Sequence, residues 1–159
     1  EQYEVSAYAR SRPLQSRHNF NYWQFGDYLG IGAGAHGKIS LTDGSQPLRT
    51  RKHRQPDHYL RAALQPPVNG RTSRYTAEAT PIPPGEIAIE YLLNTLRTRR
   101  GFSPAHFEAH TGTAFSAIAK RVEYLRSQGL LCDTPFVDGW ITTTERGFRY
   151  LNNVLEEFI

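Results

Sequence analysis

The sequence predicts an α+β protein whose C-terminal half forms a winged-helix-like domain. Its first 45 residues alternate short β-like runs with glycine turns, whereas residues 86–159 carry three helical patterns, a hairpin pattern and a final helical pattern. Between these parts, residues 46–85 are rich in proline, arginine and glutamine and poor in core-forming side chains. We therefore predict three regions, which are residues 1–45, a connector at 46–85, and residues 86–159.

The N-terminal region contains two candidate strands, at 3–8 and 28–35. A brief helical turn is predicted between them, at 21–25. No neighbouring run completes a sheet around these strands, and a two-stranded unit is only marginally stable in water. We therefore expect this region to depend on contacts with other parts of a longer protein.

The connector is interrupted by prolines at Pro66-Pro67 and throughout the run 81–85. One short helix is predicted within it, at 56–63. The connector also collects basic side chains, namely Arg49, Arg51, Lys52, Arg54 and Arg61. Contacts with phosphate or propionate groups are one interpretation of this cluster.

Helical spacing defines the first part of the C-terminal region. Apolar residues at i, i+3, i+4 and i+7 predict a helix at 86–99. Ser103 and Pro104 are typical of a helix start, and Gly112 is typical of a helix end, so a second helix lies between them. A third helix is marked by the apolar stripe Phe115, Ile118, Ala119, Val122 and Leu125.

A hairpin and a last helix complete the predicted winged-helix-like domain. Residues 130–131 lead into a hairpin whose turn is Asp138-Gly139, a pair that favours tight turns. Thr142 and Glu145 have the spacing of a capping box, which predicts the start of a helix. That helix is striped by Phe148, Leu151, Leu155 and Phe158.

Composition restricts the class of protein. At 159 residues the chain can bury one core, or the core of a small domain with an appendage. A single cysteine excludes an internal disulfide and favours a reducing compartment, so we expect a cytoplasmic protein. No apolar run approaches the roughly 20 residues of a membrane helix, and a net charge of +4 permits nucleic-acid binding without requiring it. Because methionine is absent, Glu1 is expected to lie inside a longer protein.

The glycine-rich run near residue 32 is the first candidate site. Gly32-x-Gly34-x-x-Gly37 has the spacing of a dinucleotide-binding fingerprint, but the β-like run 38–42 follows where that fingerprint requires a helix. Two interpretations remain. The run is either a strand whose small residues allow tight packing, or a strand against whose backbone a cofactor lies, with His36 at its mouth.

His18 is the centre of the second candidate site. Its imidazole is a suitable ligand for haem iron, while the neighbouring Tyr22 and Trp23 can cover a porphyrin face. The alternative is structural: His18 and Asn19 cap a turn, and the two aromatic residues pack in the core.

The remaining histidines and the cysteine are weaker candidates. His106 and His110 are four residues apart and share a helix face, but no third ligand completes a metal site. A solvated face is the simpler interpretation of this pair. Cys132 falls at a predicted strand edge or core position, and we interpret it as a small apolar side chain.

Basic residues allow a nucleic-acid alternative. A winged helix would present Lys120, Arg121 and Arg126 to a DNA groove, although Glu123 interrupts that face. A second group follows the first predicted helix, where the helix dipole accounts for positive charge. Its members are Arg97, Arg99 and Arg100. Nucleic-acid binding is therefore expected to be unlikely.

Several separated motifs resemble the HemW and HemN group of radical S-adenosylmethionine proteins. The motifs lie at 18–23, 28–37, 56–60, 86–102 and 151–158, in the order found in the group. The resemblance implies that residues 1–45 are terminal strands of a partial radical SAM (β/α) barrel and that residues 86–159 form the group's C-terminal domain. Such a parent holds a [4Fe-4S] cluster and S-adenosylmethionine through a Cys-x3-Cys-x2-Cys motif, which this sequence lacks.

The resemblance also implies site residues. The string His18-Asn19-x-x-Tyr22-Trp23 is typical of the HemW branch, which is regarded as binding haem and delivering it to acceptor proteins. It implies a haem site at these four residues, with His18 as the iron ligand. The positions that would approach S-adenosylmethionine are Gly32, Gly34, Ala35 and His36.

Function and partners follow from the same resemblance. The expected partners are haem or porphyrin, haem-accepting proteins and the N-terminal radical SAM domain of the parent. Because the three-cysteine motif is absent, we expect this chain to bind rather than to catalyse by itself. One alternative is an oxygen-independent coproporphyrinogen III oxidase, which decarboxylates two propionates of its substrate. A winged-helix nucleic-acid binder is the other.

Overall fold

The computed structural model describes residues 1–40, 46–66, 73–132 and 139–159. In chain order the helices are α1 (Arg17–Trp23), α2 (Pro56–Ala62), α3 (Pro84–Thr95), α4 (Pro104–Thr111), α5 (Ser116–Ser127), α6 (Glu145–Arg149) and α7 (Leu151–Glu156). The strands are β1 (Gln2–Glu4), β2 (Ala7–Tyr8), β3 (His36–Ile39), β4 (Leu48–Lys52) and β5 (Thr76–Pro81). This mixture of helices and small antiparallel sheets confirms the α+β class, and the described strands form no closed barrel. No described helix is long and apolar enough to cross a membrane.

Contacts group the chain into two compact units. The first joins residues 1–26 with residues 85–159, and the second comprises residues 27–84. These bounds differ from the three predicted regions, whose separation into domains stays a prediction. The N-terminal segment packs with the C-terminal helices because backbone hydrogen bonds join them: Val5 N–H donates to Arg97 O, and Arg99 N–H donates to Tyr3 O.

The first unit opens with a tight hairpin. The predicted strand at 3–8 is in fact β1 and β2, which pair antiparallel across a turn. The chain reverses there because the Glu4 carboxylate accepts hydrogen bonds from the Ser6 N–H and hydroxyl, both at 2.9 Å. A short 3-10 helix at Arg12–Leu14 then leads to α1.

The second helix of the C-terminal region begins and ends at the residues predicted from the sequence. The Ser103 hydroxyl accepts the His106 N–H and Pro104 follows it, so α4 has a capped start. Gly112 ends the helix with φ 66°, a left-handed conformation that favours glycine. The third predicted helix is also present, as α5.

The end of the chain differs from the sequence prediction. Thr144, not Thr142, caps α6 by accepting the Gly147 N–H, so the predicted capping box is wrong. The predicted single last helix is two helices, α6 and α7, separated at Tyr150 (φ −107°, ψ 39°). Thr142 is instead buried beside Cys132, whose N–H donates to the Thr142 carbonyl.

Short extended segments pair next to these helices. Leu131 bridges Thr143 and Phe102 bridges Ile141, both antiparallel. The first bridge brings together the two arms of the predicted hairpin. Asp138 of its predicted turn, Asp138-Gly139, lies outside the residues that the structure describes.

The core of the first unit is aromatic at its centre and aliphatic around it. Its fully buried side chains include Tyr91, Phe102, Phe107, Leu92, Leu96, Val122, Leu125, Leu131 and Val154. They come from α3, α4, α5 and α7 and from the paired segments between them. The predicted stripe of α5 supplies buried Ile118, Val122 and Leu125, whereas α3 buries Ile87, Tyr91, Leu92 and Thr95 and leaves Leu93 of its predicted stripe exposed.

The second unit is built on a sheet that the sequence prediction missed. β3, β4 and β5 form a three-stranded antiparallel sheet. β3 overlaps the β-like run at 38–42, whereas β4 and β5 lie in the connector, where one short helix was predicted. That helix is present as α2. The predicted strand at 28–35 is wrong: Tyr28 makes one bridge to Lys38, and a loop with left-handed Gly32 (φ 104°) and Gly34 (φ 73°) follows.

Candidate functional site

All four residues predicted to contact haem lie on α1. His18 and Tyr22 are one turn apart, and their ring centroids are 5.1 Å apart at an interplanar angle of 50°. Asn19 and Trp23 form the adjacent stripe of the same helix, and the Tyr22 and Trp23 ring centroids are 6.4 Å apart. His18 is exposed, whereas Tyr22 and Trp23 are half-buried. The helix therefore carries a His18/Tyr22 stripe, of which only His18 is exposed, beside a half-buried Asn19/Trp23 stripe.

Three aromatic contacts hold α1 in place. Phe20 stacks on Tyr3, with centroids 5.5 Å apart and planes 20° apart. The guanidinium carbon of Arg97 lies 4.6 Å from the centroid of the Trp23 ring. Just past the helix, Phe25 meets Tyr91 edge to face at 5.7 Å. Because α1 has only seven residues, such packing must supply most of its stability.

The C-terminal end of α1 is strained. Phe25 N–H donates to Tyr22 O and Gly26 N–H donates to Asn21 O, which is the pattern that closes a helix over a left-handed residue. That residue is usually glycine, but here it is Phe25, with φ 62°. A bulky residue costs about 1 kcal/mol or more in this conformation. Burial of its ring, which is 3% exposed, offsets the cost.

Of the four residues predicted to contact haem, His18 alone is exposed. Neither ring nitrogen of His18 has a hydrogen-bond partner among the described residues, and its role as a haem ligand stays a prediction. The capping alternative is wrong, because Ser16 is the N-cap and its hydroxyl accepts the Asn19 N–H at 3.2 Å. The Trp23 indole N–H is buried without a partner in the described part of the chain, and Arg97 covers one face of the ring.

The glycine-rich loop lies in the second unit. The Gly32 N–H donates to the Tyr59 hydroxyl at 3.1 Å and the Gly34 N–H donates to His53 O at 2.9 Å, so both amides are engaged. Ala35 O accepts the Lys52 N–H at 2.8 Å. β3 begins directly afterwards at exposed His36, so no helix follows and the dinucleotide fingerprint is wrong. A role for this loop and His36 at S-adenosylmethionine stays a prediction.

His106 and His110 form a stacked pair rather than a metal site. Their ring centroids are 3.9 Å apart at 25°. His106 Nδ1 is hydrogen-bonded to the buried Tyr91 hydroxyl at 2.6 Å, and His110 Nδ1 to His106 O at 2.9 Å. Among the described residues no group of three potential ligands is arranged for a metal. Sequence spacing identified the pair but missed Tyr91, which comes from another helix.

Burial lowers the pKa of His106 below its ordinary value of 6.5, and the nearby His110 and Arg100 lower it further. A depressed pKa means that the unfolded chain binds a proton more readily than the folded protein. We therefore expect the free energy of unfolding to fall as the pH decreases from about 7.5 to about 5.5. Urea denaturation across this range measures the slope. His106→Gln should flatten it, whereas a matched change at exposed His58, His58→Gln, should not; equal slopes in both variants would contradict this assignment.

Basic side chains are mostly engaged within each unit. In the second unit Arg51 donates two hydrogen bonds to Glu78, at 2.8 and 3.1 Å. In the first unit Arg126 pairs with Glu123 at 2.7 Å, which removes one charge from the predicted DNA face. Helix α3 ends at Thr95, so the three arginines lie past its last turn rather than within the predicted helix 86–99. Each contacts an aromatic ring: Arg97 on Trp23, Arg99 on Phe148 and Arg100 on Trp140.

Comparison with known proteins finds similarity to the same group of proteins that the sequence motifs resemble. Residues 82–149 match the HemN C-terminal domain family. The chain is 35% identical to heme chaperone HemW of Haemophilus influenzae and 38% identical to heme chaperone HemW of Escherichia coli, in each case over the whole chain. It covers 37% of the first relative and 38% of the second. The chain therefore spans little more than a third of their length.

A solved structure supports the fold. The coproporphyrinogen III oxidase HemN of Escherichia coli, described as a radical SAM enzyme, superimposes with a TM-score of 0.51. The superposition covers 84% of this chain and 28% of that one, at 17% sequence identity. At this identity the likeness concerns the fold and carries no statement about activity.

Proposed function

Because this chain belongs to the HemW/HemN group of radical SAM proteins, we propose that it supplies the haem-binding part of a HemW-type haem chaperone. Both HemW relatives are named heme chaperones. Since the chain covers little more than a third of either, delivery of haem to an acceptor protein belongs to this proposal as well. Haem or a related porphyrin would be the ligand.

The His18/Tyr22 stripe of α1 is the observation that carries this proposal. His18 is exposed, and its ring nitrogens have no partner among the described residues. An imidazole nitrogen donates a lone pair to iron, which is how His18 would hold haem. Tyr22 lies one turn away and offers apolar ring area at little cost in conformational entropy. Asn19 and Trp23 border this stripe and complete the proposed site.

We propose that the cofactors of radical chemistry are bound by another part of a longer protein. The sequence has one cysteine, so a [4Fe-4S] cluster would be held by another part of a longer protein, together with S-adenosylmethionine. We propose that Gly32, Gly34, Ala35 and His36 approach that cofactor; the exposed position of His36 at the start of β3 supports this role. A reducing, cytoplasmic location suits a chain with a single free cysteine.

Two finer features of the fold are part of the same proposal. A winged-helix arrangement of residues 86–159 is supported by the three helices α3, α4 and α5 together with two pairings of extended segments. These are the pairing of Phe102, between α3 and α4, with Ile141 and that of Leu131, after α5, with Thr143. We also propose that residues 1–45 complete a radical SAM barrel formed mainly by another part of a longer protein. The similarity in fold to HemN over 84% of the chain supports both assignments.

The oxidase and nucleic-acid alternatives have less support. The likeness to HemN at 17% identity concerns the fold, so it does not favour decarboxylation over haem binding. On α5, Lys120 and Arg121 are exposed, but Arg126 is paired with Glu123. Titration with duplex DNA at two salt concentrations tests the second alternative, because phosphate contacts make affinity strongly salt-dependent.

His18→Ala tests the proposed function. Loss of an iron ligand should weaken haem binding by roughly tenfold or more and shift the absorption bands of bound haem. The measurement is a spectrophotometric titration of the protein with haem. His58→Ala is the matched control, because His58 is an exposed histidine in the second unit. If His18→Ala bound haem with unchanged affinity and spectrum, the ligand assignment would be abandoned.

A further inference from the structure

Arg97 makes two contacts at once, to a buried carboxylate and to the proposed haem helix. Its Nη2 and Nε lie 2.9 and 3.1 Å from Glu4 Oε1. Its guanidinium carbon lies 4.6 Å from the centroid of the Trp23 ring. A guanidinium can stack on an aromatic face while its edge donates to a carboxylate, so both contacts coexist.

The carboxylate that holds Arg97 is itself fixed. The Glu4 side chain is 1% exposed, and its second oxygen accepts two hydrogen bonds from Ser6. A buried carboxylate needs such partners, because an unpaired charge in the interior is costly. Backbone pairing adds to this, since Val5 N–H donates to Arg97 O. The guanidinium is therefore held in one position relative to β1.

We propose that Arg97 is a positioning residue for the haem site, acting through Trp23. Trp23 is the last residue of α1, adjacent to Tyr22 and little more than one turn after His18. The helix is too short to be stable without tertiary contacts, so the position of its His18/Tyr22 stripe depends on where Trp23 is held. This inference rests on the haem site of the proposed function and adds a residue outside the motif that predicted it.

A second arginine provides a matched control. Arg99 also pairs with a glutamate, at 2.8 Å from Glu145, and its guanidinium carbon lies 3.8 Å from the Phe148 ring centroid. Neither partner belongs to α1. Arg99→Met thus removes an arginine–aromatic contact and an ion pair two residues away, here with an exposed glutamate, without altering a contact of the proposed haem helix.

The experiment compares Arg97→Met with Arg99→Met by haem titration and by amide exchange of α1. Arg97→Met should weaken haem binding by roughly fivefold to tenfold, shift the absorption bands and increase exchange in α1. Arg97→Lys should restore part of the affinity, because it keeps the charge but loses the planar fork. Arg99→Met should bind haem within about twofold of the unaltered protein. Equal effects of the two methionine variants, or unchanged α1 exchange in Arg97→Met, would overturn the proposal.

Folding and function can be separated in this test. Arg97→Met leaves the buried Glu4 carboxylate without its partner. If this single variant does not fold, the double variant Glu4→Gln/Arg97→Met takes its place in the haem titration. It removes the unpaired charge and should show the same loss of haem affinity. If His18→Ala lowers affinity but the double variant does not, the positioning role fails and the proposed function stands. If His18→Ala has no effect, the proposed function fails, and α1 exchange alone decides whether Arg97 holds the helix.

Discussion

Gly147→Ala is expected to destabilise the protein by about 3 kcal/mol, although alanine normally stabilises a helix. Gly147 is buried within α6, and a Cβ atom added there would lie 1.8 Å from the carbonyl oxygen of Leu130. That oxygen is a backbone atom and also accepts the Thr144 N–H, so it cannot move aside without loss of the start of α6. Helix α6 and the segment around Leu130 must therefore move apart to admit the added methyl group.

Gly85→Ala is the control for this prediction. Gly85 lies in the first turn of α3, and an added Cβ would meet no atom within 4 Å. This variant should be neutral or more stable by about 0.5 kcal/mol. Urea denaturation of both variants gives the free energies of unfolding. A stabilised Gly147→Ala protein would mean that α6 does not pack on residue 130 as described.

Tyr91→Ala is expected to cost about 4 kcal/mol of unfolding free energy. Tyr91 has no exposed surface and meets Phe25, Phe102 and Phe107 edge to face, with centroids 5.5 to 6.0 Å apart. Burial raises the pKa of its phenol, which therefore stays protonated and hydrogen-bonded to His106. Its removal leaves a cavity at the centre of the first unit and releases Phe25 from its contact.

Tyr91→Phe separates the hydrogen bond from the packing. It keeps the ring and removes only the hydroxyl, so the loss should be about 1 kcal/mol. Thermal unfolding together with near-ultraviolet circular dichroism measures both variants. Because Phe25 follows α1, Tyr91→Ala should also increase amide exchange in that helix, whereas Tyr91→Phe should not. Similar costs for the two variants would show that the hydroxyl, rather than the aromatic packing, dominates at this position.

The candidate site was predicted from the sequence in part. The string around His18 was predicted to be followed by a brief helical turn at 21–25, whereas the structure has the helix α1 at Arg17–Trp23, with all four predicted residues on it. Nothing in the string indicated that Trp23 is covered by Arg97, a residue more than seventy positions away. Arg97 was attributed to a helix dipole because the predicted helix continued past Thr95, where the observed helix ends.

Local signals account for the parts of the fold that were predicted correctly. Ser103, Pro104 and Gly112 determined α4 because capping and left-handed backbone preferences act within a few residues. Apolar periodicity located α3 and α5 in the same way, although only in α5 do most of the predicted stripe residues become buried, and Leu93 of α3 is exposed. The sequence by itself therefore determined the α+β class, the first three helices of the C-terminal region and the family relationship.

Only the tertiary structure decided which distant segments meet. Strands β4 and β5 were missed because β4 is mostly charged and polar, and its pairing depends on neighbours far along the chain; β3 overlaps the β-like run noted at 38–42. The same holds for the hairpin at residues 2–8, for the bond between Tyr91 and His106, and for the pairing of Glu4 with Arg97. These contacts join residues whose local sequences carry no information about each other, so their partners are selected when the core forms.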